Sequence, residues 1–272
     1  MKYCAHTMGT PSYDIFEAFR LVGSLGFDGI EIRCCSDAQI DPQTFDFAAA
    51  PAVRRAADDA GVQIVCLTPY YMHFGDPERR EKEIEGLCRT IDIAAELGGG
   101  LVRCFGREPE DNREREDYWW RTVEALAQCA DHARPTGVRL ALETHGGSLA
   151  QTAGKANRMI EDIGRTNVGI ILDYPWIYLT GEEGPREATE RAAANLLHVH
   201  VKDWSKNQAT GERTTCLMGE GDIEWPTVLQ VLRELDFSGY ICAEYEKCHR
   251  PYLPEPEVGL KHELNYLQQF FD

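Results

Sequence analysis

The sequence predicts a closed barrel of eight parallel strands wrapped by helices, a single (β/α)8 unit over residues 1–272. Three observations predict it. Short β-rich runs alternate with longer amphipathic segments from end to end. No Pro/Ser-rich linker, low-complexity tract or short repeat marks a second domain. Polar residues gather at the C-terminal ends of the last four strand candidates, where such a barrel carries its chemistry. With 272 residues, 43% of them hydrophobic, the chain can bury one large core.

The first strand candidate, Lys2 to His6, runs into Thr7-Met8-Gly9-Thr10-Pro11. That is no G-x-G-x-x-G turn, so the competing open, doubly wound sheet lacks its dinucleotide fingerprint, and no G-x-x-x-x-G-K-[ST] phosphate loop occurs either. Gly29 to Arg33 and Gln63 to Leu67 follow as strands. Asp76 to Glu83 reads as a helix start with a solvated face, and Ile84, Leu87, Cys88, Ile91 and Ala95 recur at helical spacing behind it. Leu101 to Phe105 is the fourth strand, Glu108 to Asp117 reads as a charged surface loop, and Trp119-Trp120 covers barrel or subunit surface, which leaves a homo-oligomer open. Arg139 to Glu143, Val168 to Asp173, Leu196 to Lys202 and Tyr240 to Tyr245 complete the strands, with Trp225, Val228, Leu229, Leu232 and Leu235 marking a helix between the last two. Gly26, Gly61, Gly98 and Gly137 each stand between a helical segment and a strand, where a left-handed cap without a Cβ is wanted.

A formal charge of −17 repels phosphate backbones and anionic membrane surfaces, so neither nucleic acid nor membrane is an expected partner. No apolar run approaches the roughly 20 residues a membrane span needs, and Met1-Lys2-Tyr3-Cys4 does not open a signal region; a cytoplasmic location is expected. The ten cysteines form no C-x-x-C pair; Cys4, Cys66, Cys104 and Cys242 fall in apolar strands and read as reduced core residues, while Cys34-Cys35 follows a strand end.

Strand five ends in Glu143-Thr144-His145, strand six in Asp173, strand seven in His198-Val199-His200-Val201-Lys202-Asp203, and strand eight in Glu244-Tyr245-Glu246. Side chains alternate across a strand, so each end aims its polar residues together. Three carboxylates aimed into one barrel mouth repel each other and are driven to protonate unless a cation compensates them. Glu143, Asp173, His200 and Glu244 are therefore the expected ligands of one divalent metal ion. Their hard, oxygen-rich donor set favours manganese, with magnesium, cobalt or zinc as alternatives. His198 lies two residues deeper and reads as an interior histidine. His145 and Lys202 either contact substrate or pair with the carboxylates. Among the first-half residues at strand ends, His6 is a pocket candidate, and Arg103 needs an anion, either Glu31 or a substrate group.

These motifs, together with Gly26-Phe27-Asp28-Gly29-Ile30-Glu31-Ile32 and Gly219-Glu220-Gly221-Asp222-Ile223, resemble the xylose isomerase-like barrels of the sugar phosphate isomerase/epimerase group, over essentially the whole chain. The first ten residues and the run from Asp203 onward resemble the inosose dehydratase and inosose isomerase branch. The resemblance implies the same four metal ligands, with Glu143 and Glu244 as the acid/base pair. It implies a sugar or keto-polyol substrate whose enediolate the metal stabilises after proton abstraction beside the carbonyl. Many relatives carry histidine three residues after the strand-six aspartate, and the multi-zinc endonuclease IV branch uses it for metal. Here that residue is Trp176, which argues against DNA repair and suits stacking on a sugar ring.

Isomerase or epimerase is the expected activity. A keto-polyol dehydratase is the alternative, since the three outcomes differ in where the substrate sits. A non-catalytic sugar-binding barrel is a further alternative, although it would have been free to lose the four ligands. A Schiff-base lyase built on Lys202 requires a lowered lysine pKa, which the neighbouring carboxylates oppose.

Overall fold

A computed structural model describes residues 1–207 and 209–271. Eight strands form the barrel: β1 (Lys2–His6), β2 (Gly29–Cys34), β3 (Gln63–Pro69), β4 (Leu101–Cys104), β5 (Arg139–Glu143), β6 (Val168–Asp173), β7 (Leu196–Val201) and β10 (Tyr240–Ala243). They are hydrogen-bonded in the order β1-β10-β7-β6-β5-β4-β3-β2 and close on themselves, every pairing parallel. This is the closed (β/α)8 barrel the alternation predicts. Between β7 and β10 an antiparallel hairpin is inserted, β8 (Asp203–Lys206) and β9 (Arg213–Cys216). Its two short strands carry no apolar alternation that would announce them in the sequence.

Helices α1 (Ile15–Leu25), α2 (Ala50–Asp59), α3 (Arg80–Leu97), α4 (Arg115–Ala133), α5 (Ala153–Ile163), α6 (Tyr174–Thr180), α7 (Pro185–Ala192), α8 (Trp225–Glu234) and α9 (Pro256–Gln268) surround the strands. Their apolar stripes bury Phe19, Leu87, Ile91, Leu126 and Trp225 completely against the barrel. Gly26 and Gly98 cap α1 and α3 at φ +96° and +77°, the left-handed turn a Cβ disfavours.

Two surface readings need correction. The stretch Glu108 to Asp117 is not all loop: Asp111 caps a 3-10 turn at Asn112–Glu114, and α4 starts at Arg115. Of the tryptophan pair, Trp119 is buried and donates Nε1–H to Asp162 at 2.8 Å, and only Trp120 faces outward. Among the described residues no helix is long and apolar enough to cross a membrane.

The segment after β7 is tied down by one carboxylate. Asp203 accepts N–H bonds from Trp204 (2.9 Å), Gly219 (3.0 Å), Gly221 (3.2 Å) and Ile223 (3.3 Å). A Cβ on Gly221 would lie 2.1 Å from Asp203 Oδ1, and Gly219 has φ +87°, so the two glycines of the G-E-G-D-I run are what let the backbone wrap the carboxylate.

Candidate metal centre

Parallel strands of a barrel end at one rim, and the period-two alternation sends every second side chain inward. On β5, β6 and β7 the last inward positions are Glu143, Asp173 and His200; Glu244 stands one residue beyond β10 and Lys202 one beyond β7. All five are buried. One donor atom from each of Glu143, Asp173, His200 and Glu244 falls within 4.8 Å of the others, so the structure brings the four expected ligands together.

The electrostatics of this group show what it lacks. His200 directs Nδ1 to Glu143 Oε1 (2.9 Å) and Nε2 to Glu31 Oε1 (2.9 Å). Burial lowers its pKa, but the charges of Glu31 and Glu244 and these two hydrogen bonds outweigh burial and hold it well above the usual imidazole range. Arg103 donates Nη1–H to Glu143 Oε2 at 3.2 Å and Nη2–H to the Pro69 carbonyl at 2.9 Å. Lys202 Nζ donates to Asp173 Oδ2 at 2.6 Å and, in a short contact, to Glu244 Oε2. Even so, burial and the repulsion of Glu244 and Glu143 push Asp173 up to about 8, and its Oδ1 has no partner. Three buried carboxylates are crowded into the site, and one oxygen of Asp173 is left unsatisfied. Those are the features a divalent cation removes, and the donor set fits one.

The remaining sequence candidates distribute as follows. His6 accepts the Met8 N–H on Nδ1 at 2.9 Å and donates Nε2–H to Thr68 at 2.8 Å; burial holds it down at about 4, so it is a neutral imidazole beside the centre. Arg103 takes Glu143 as its anion, not Glu31 as the sequence allowed. Glu143 lies two residues beyond Ala141, the register partner of Arg103, and so is its diagonal neighbour on the same face.

His145 does not share the inward face with Glu143. The chain turns after β5, and the ring donates Nδ1–H to the Gly146 carbonyl (2.8 Å) while stacking between Phe105 (4.8 Å) and Trp176 (4.7 Å). Trp176 begins the wall of the mouth. It meets Trp204 edge-on at 5.0 Å, and its Nε1 has no partner. Glu246 turns away from Glu244 and accepts from the Thr215 hydroxyl at 2.8 Å. For Lys202, burial works against the charge, but Asp173 and Glu244 outweigh it and keep the ammonium far above its ordinary value, the opposite of what a Schiff-base nucleophile needs.

Glu31, read from the sequence as one of two anions for Arg103, pairs with His200 instead. It is wholly buried, gives one oxygen to His200 and the other to His198 Nε2 at 2.6 Å, and thereby fixes which nitrogen of His200 faces the four-ligand group. The only sequence signal was a lone carboxylate in the apolar run Gly29-Ile30-Glu31-Ile32.

Similarity to known proteins agrees with this architecture. The chain is 23% identical over 172 residues to the inosose dehydratase of Lacticaseibacillus casei, which covers 58% of this chain and 57% of that protein. It is 25% identical over 236 residues to the D-psicose 3-epimerase of Agrobacterium fabrum, covering 82% of this chain and 76% of that one. A crystal structure of a D-psicose 3-epimerase in the presence of D-fructose superposes with a TM-score of 0.81 at 18% identity, covering 99% of both chains. A sequence model of the xylose isomerase-like TIM barrel family matches residues 19–270, and the chain belongs to that family.

Proposed function

We propose that this protein is a divalent-metal-dependent enzyme that removes and returns a proton beside the carbonyl of a sugar or keto-polyol, acting as an isomerase or epimerase. The observation that carries the reading is the buried four-ligand group in which Asp173 is left under-compensated and Glu143 and Glu244 flank one imidazole. Glu143, Asp173, His200 and Glu244 would hold the ion, with manganese first among the candidates because three of the four donors are carboxylates. A divalent ion held there supplies Lewis acidity to a carbonyl and makes the adjacent C–H more acidic.

The chain's own residues supply the rest. Burial raises Glu143, but the Arg103 charge and the His200 hydrogen bond prevail and hold it well below the usual carboxylate range, so it meets substrate as a base. Glu244 shares the Lys202 ammonium with Asp173, and that charge outweighs burial and holds the Glu244 carboxyl below its usual range, so it too meets substrate as a base. Thus the carboxylate that takes the proton from carbon becomes the acid that can return it, and for delivery from the other side the second carboxylate first takes a proton from a hydroxyl of the bound substrate. Arg103 becomes a positioning residue, since its two donating nitrogens are spent on Glu143 and Pro69. Trp176, half-buried at the rim, offers a ring face to an apolar sugar face.

A dehydratase acting on a keto-polyol is the second reading, favoured by the inosose dehydratase match. One experiment separates them: manganese-loaded protein is incubated with a panel of ketohexoses and inososes in deuterated water, beside Glu244→Gln. Epimerisation or isomerisation places deuterium on the substrate carbon skeleton; dehydration yields a product lighter by one water. Turnover of every panel member at equal rates by wild type and variant would overturn the assignment of Glu244.

A further inference from the structure

Directly beneath the four-ligand group, the barrel interior holds a second one. Each member lies two residues before an inward residue of the layer above: Cys4 before His6, Glu31 before Arg33, His198 before His200 and Cys242 before Glu244. All four are completely buried, and one donor atom from each lies within 4.8 Å of the others. Cys4 and Cys242 are register partners across β1 and β10, so their thiols meet from adjacent strands. His198 Nε2 stands 4.0 Å from Cys4 Sγ and 2.6 Å from Glu31 Oε2, and its Nδ1 is buried without a partner. The rest of the layer is apolar, formed by Val65, Ala141 and Ile171 with Cys66. An ordinary barrel core fills such positions with branched aliphatic side chains.

We propose that Cys4, Glu31, His198 and Cys242 form a second, soft metal site that takes zinc as a structural ion. Zinc bonds of about 2.3 Å to sulfur and about 2.0–2.2 Å to nitrogen and oxygen set tetrahedral donor separations of about 3.3–3.8 Å. The wider donor pairs, within 4.8 Å, close on the ion by about 1 Å, while the hydrogen-bonded Glu31 Oε2 and His198 Nε2, now 2.6 Å apart, separate by about 1 Å, shifts on the scale of side-chain rotation. Two thiolates and an imidazole select zinc over manganese or magnesium, the reverse of the layer above. The two thiol protons and the proton shared by His198 Nε2 and Glu31 Oε2 leave to solvent as the ion enters. Because the layer is closed to water, the ion enters as the barrel forms.

The geometry also joins the two layers. If His198 Nε2 and Glu31 Oε2 bind the lower ion, Glu31 Oε1 remains bonded to His200 Nε2, whose Nδ1 faces Glu143 and Glu244. The lower ion thus stiffens the carboxylate that aims His200. That link rests on the function proposed above; the site itself does not.

The test uses cobalt, which reports sulfur ligation directly. The full chain is expressed in cobalt-supplemented minimal medium, and metal content and absorption spectrum are recorded together. The expected result is two cobalt per chain and an intense thiolate-to-cobalt charge-transfer band. The paired substitution Cys4→Ser with Cys242→Ser loses the band and one equivalent, whereas Glu244→Gln keeps the band and loses the other equivalent. Cys66→Ser, a thiol of the same layer outside the ligand set, keeps the band and serves as the folding control. A wild-type protein without the band, or a band that survives the paired substitution, overturns the proposal. Failure of the upper site instead shows as a band with a single equivalent.

Discussion

Two buried quartets stacked in one barrel differ in a single respect, the kind of donor their strands present. The upper one, at the rim, has three carboxylates and a histidine; the lower one has two thiols, one carboxylate and a histidine. Both occupy inward positions on β strands, and His198 and His200 even share one strand. What separates them is depth. At the rim, Lys202 and Arg103 reach in from the strand ends and loops to offset charge, whereas two residues lower every other neighbour is apolar. Carboxylates accumulate where basic side chains and substrate can answer their charge, and thiols, neutral until an ion takes their protons, where no basic side chain of the rim reaches. Glu31 is the exception, and it is satisfied by imidazoles on both oxygens.

The sharpest way to break this contrast is Glu244→Gln, which removes a proposed ligand and acid/base group from the upper quartet alone. Turnover should fall by about 10³-fold or more, read in the deuterium assay with the variant's secondary structure checked by circular dichroism. Glu31→Gln touches both quartets. It should weaken upper-site manganese affinity by about 10–100-fold, measured by competition with a chelator, because His200 loses the partner that fixes its ring. Trp176→Ala lies outside both and should raise KM by about 10-fold with kcat little changed, consistent with loss of a stacking face worth about 0.5–1.5 kcal/mol.

Two further changes sit away from both quartets and should move stability, not metal content. Asp203→Asn removes the charge that four backbone N–H groups surround and should cost about 1–3 kcal/mol in thermal unfolding. Glu263 is buried on α9, accepts the Met218 N–H at 3.3 Å, and is pushed up to about 8 by burial and by the nearby Asp203 and Glu220. Its native pKa exceeds its unfolded value, so the native state holds a proton that the unfolded state releases. Stability on this account is present below about pH 4.5 and is lost as pH rises toward 8. Glu263→Gln should flatten the decline in Tm between pH 5 and 8.

The barrel and the clustering of Glu143, Asp173, His200 and Glu244 at its rim were legible because both follow period-two alternation in short apolar runs: Leu140-Ala141-Leu142-Glu143 announces its strand and its rim residue at once. The β8–β9 hairpin was not, since Asp203-Trp204-Ser205-Lys206 and Arg213-Thr214-Thr215-Cys216 carry no apolar alternation. Arg103 was recognised as needing an anion, but which one depends on the stagger between β4 and β5, a three-dimensional quantity. Glu31 bridging two histidines was invisible for the same reason: it is their neighbour only across the barrel. His145 was misplaced because alternation was extended past Glu143, where the strand stops and the chain turns.

Contacts within the upper quartet and its lysine join residues 29 to 57 apart in sequence, whereas Glu31 meets His198 across 167 residues and Cys4 meets His198 across 194. Loop-closure entropy makes the first kind of contact available to a half-formed chain and the second only after the first and last staves have met. The rim quartet therefore closes over short loops within one half of the chain, while the thiol layer is a record of ring closure. A circular permutant that begins at β5 would leave the rim separations as they are while bringing Cys4 and Glu31 nearer to His198 in sequence, narrowing the gap between the two layers.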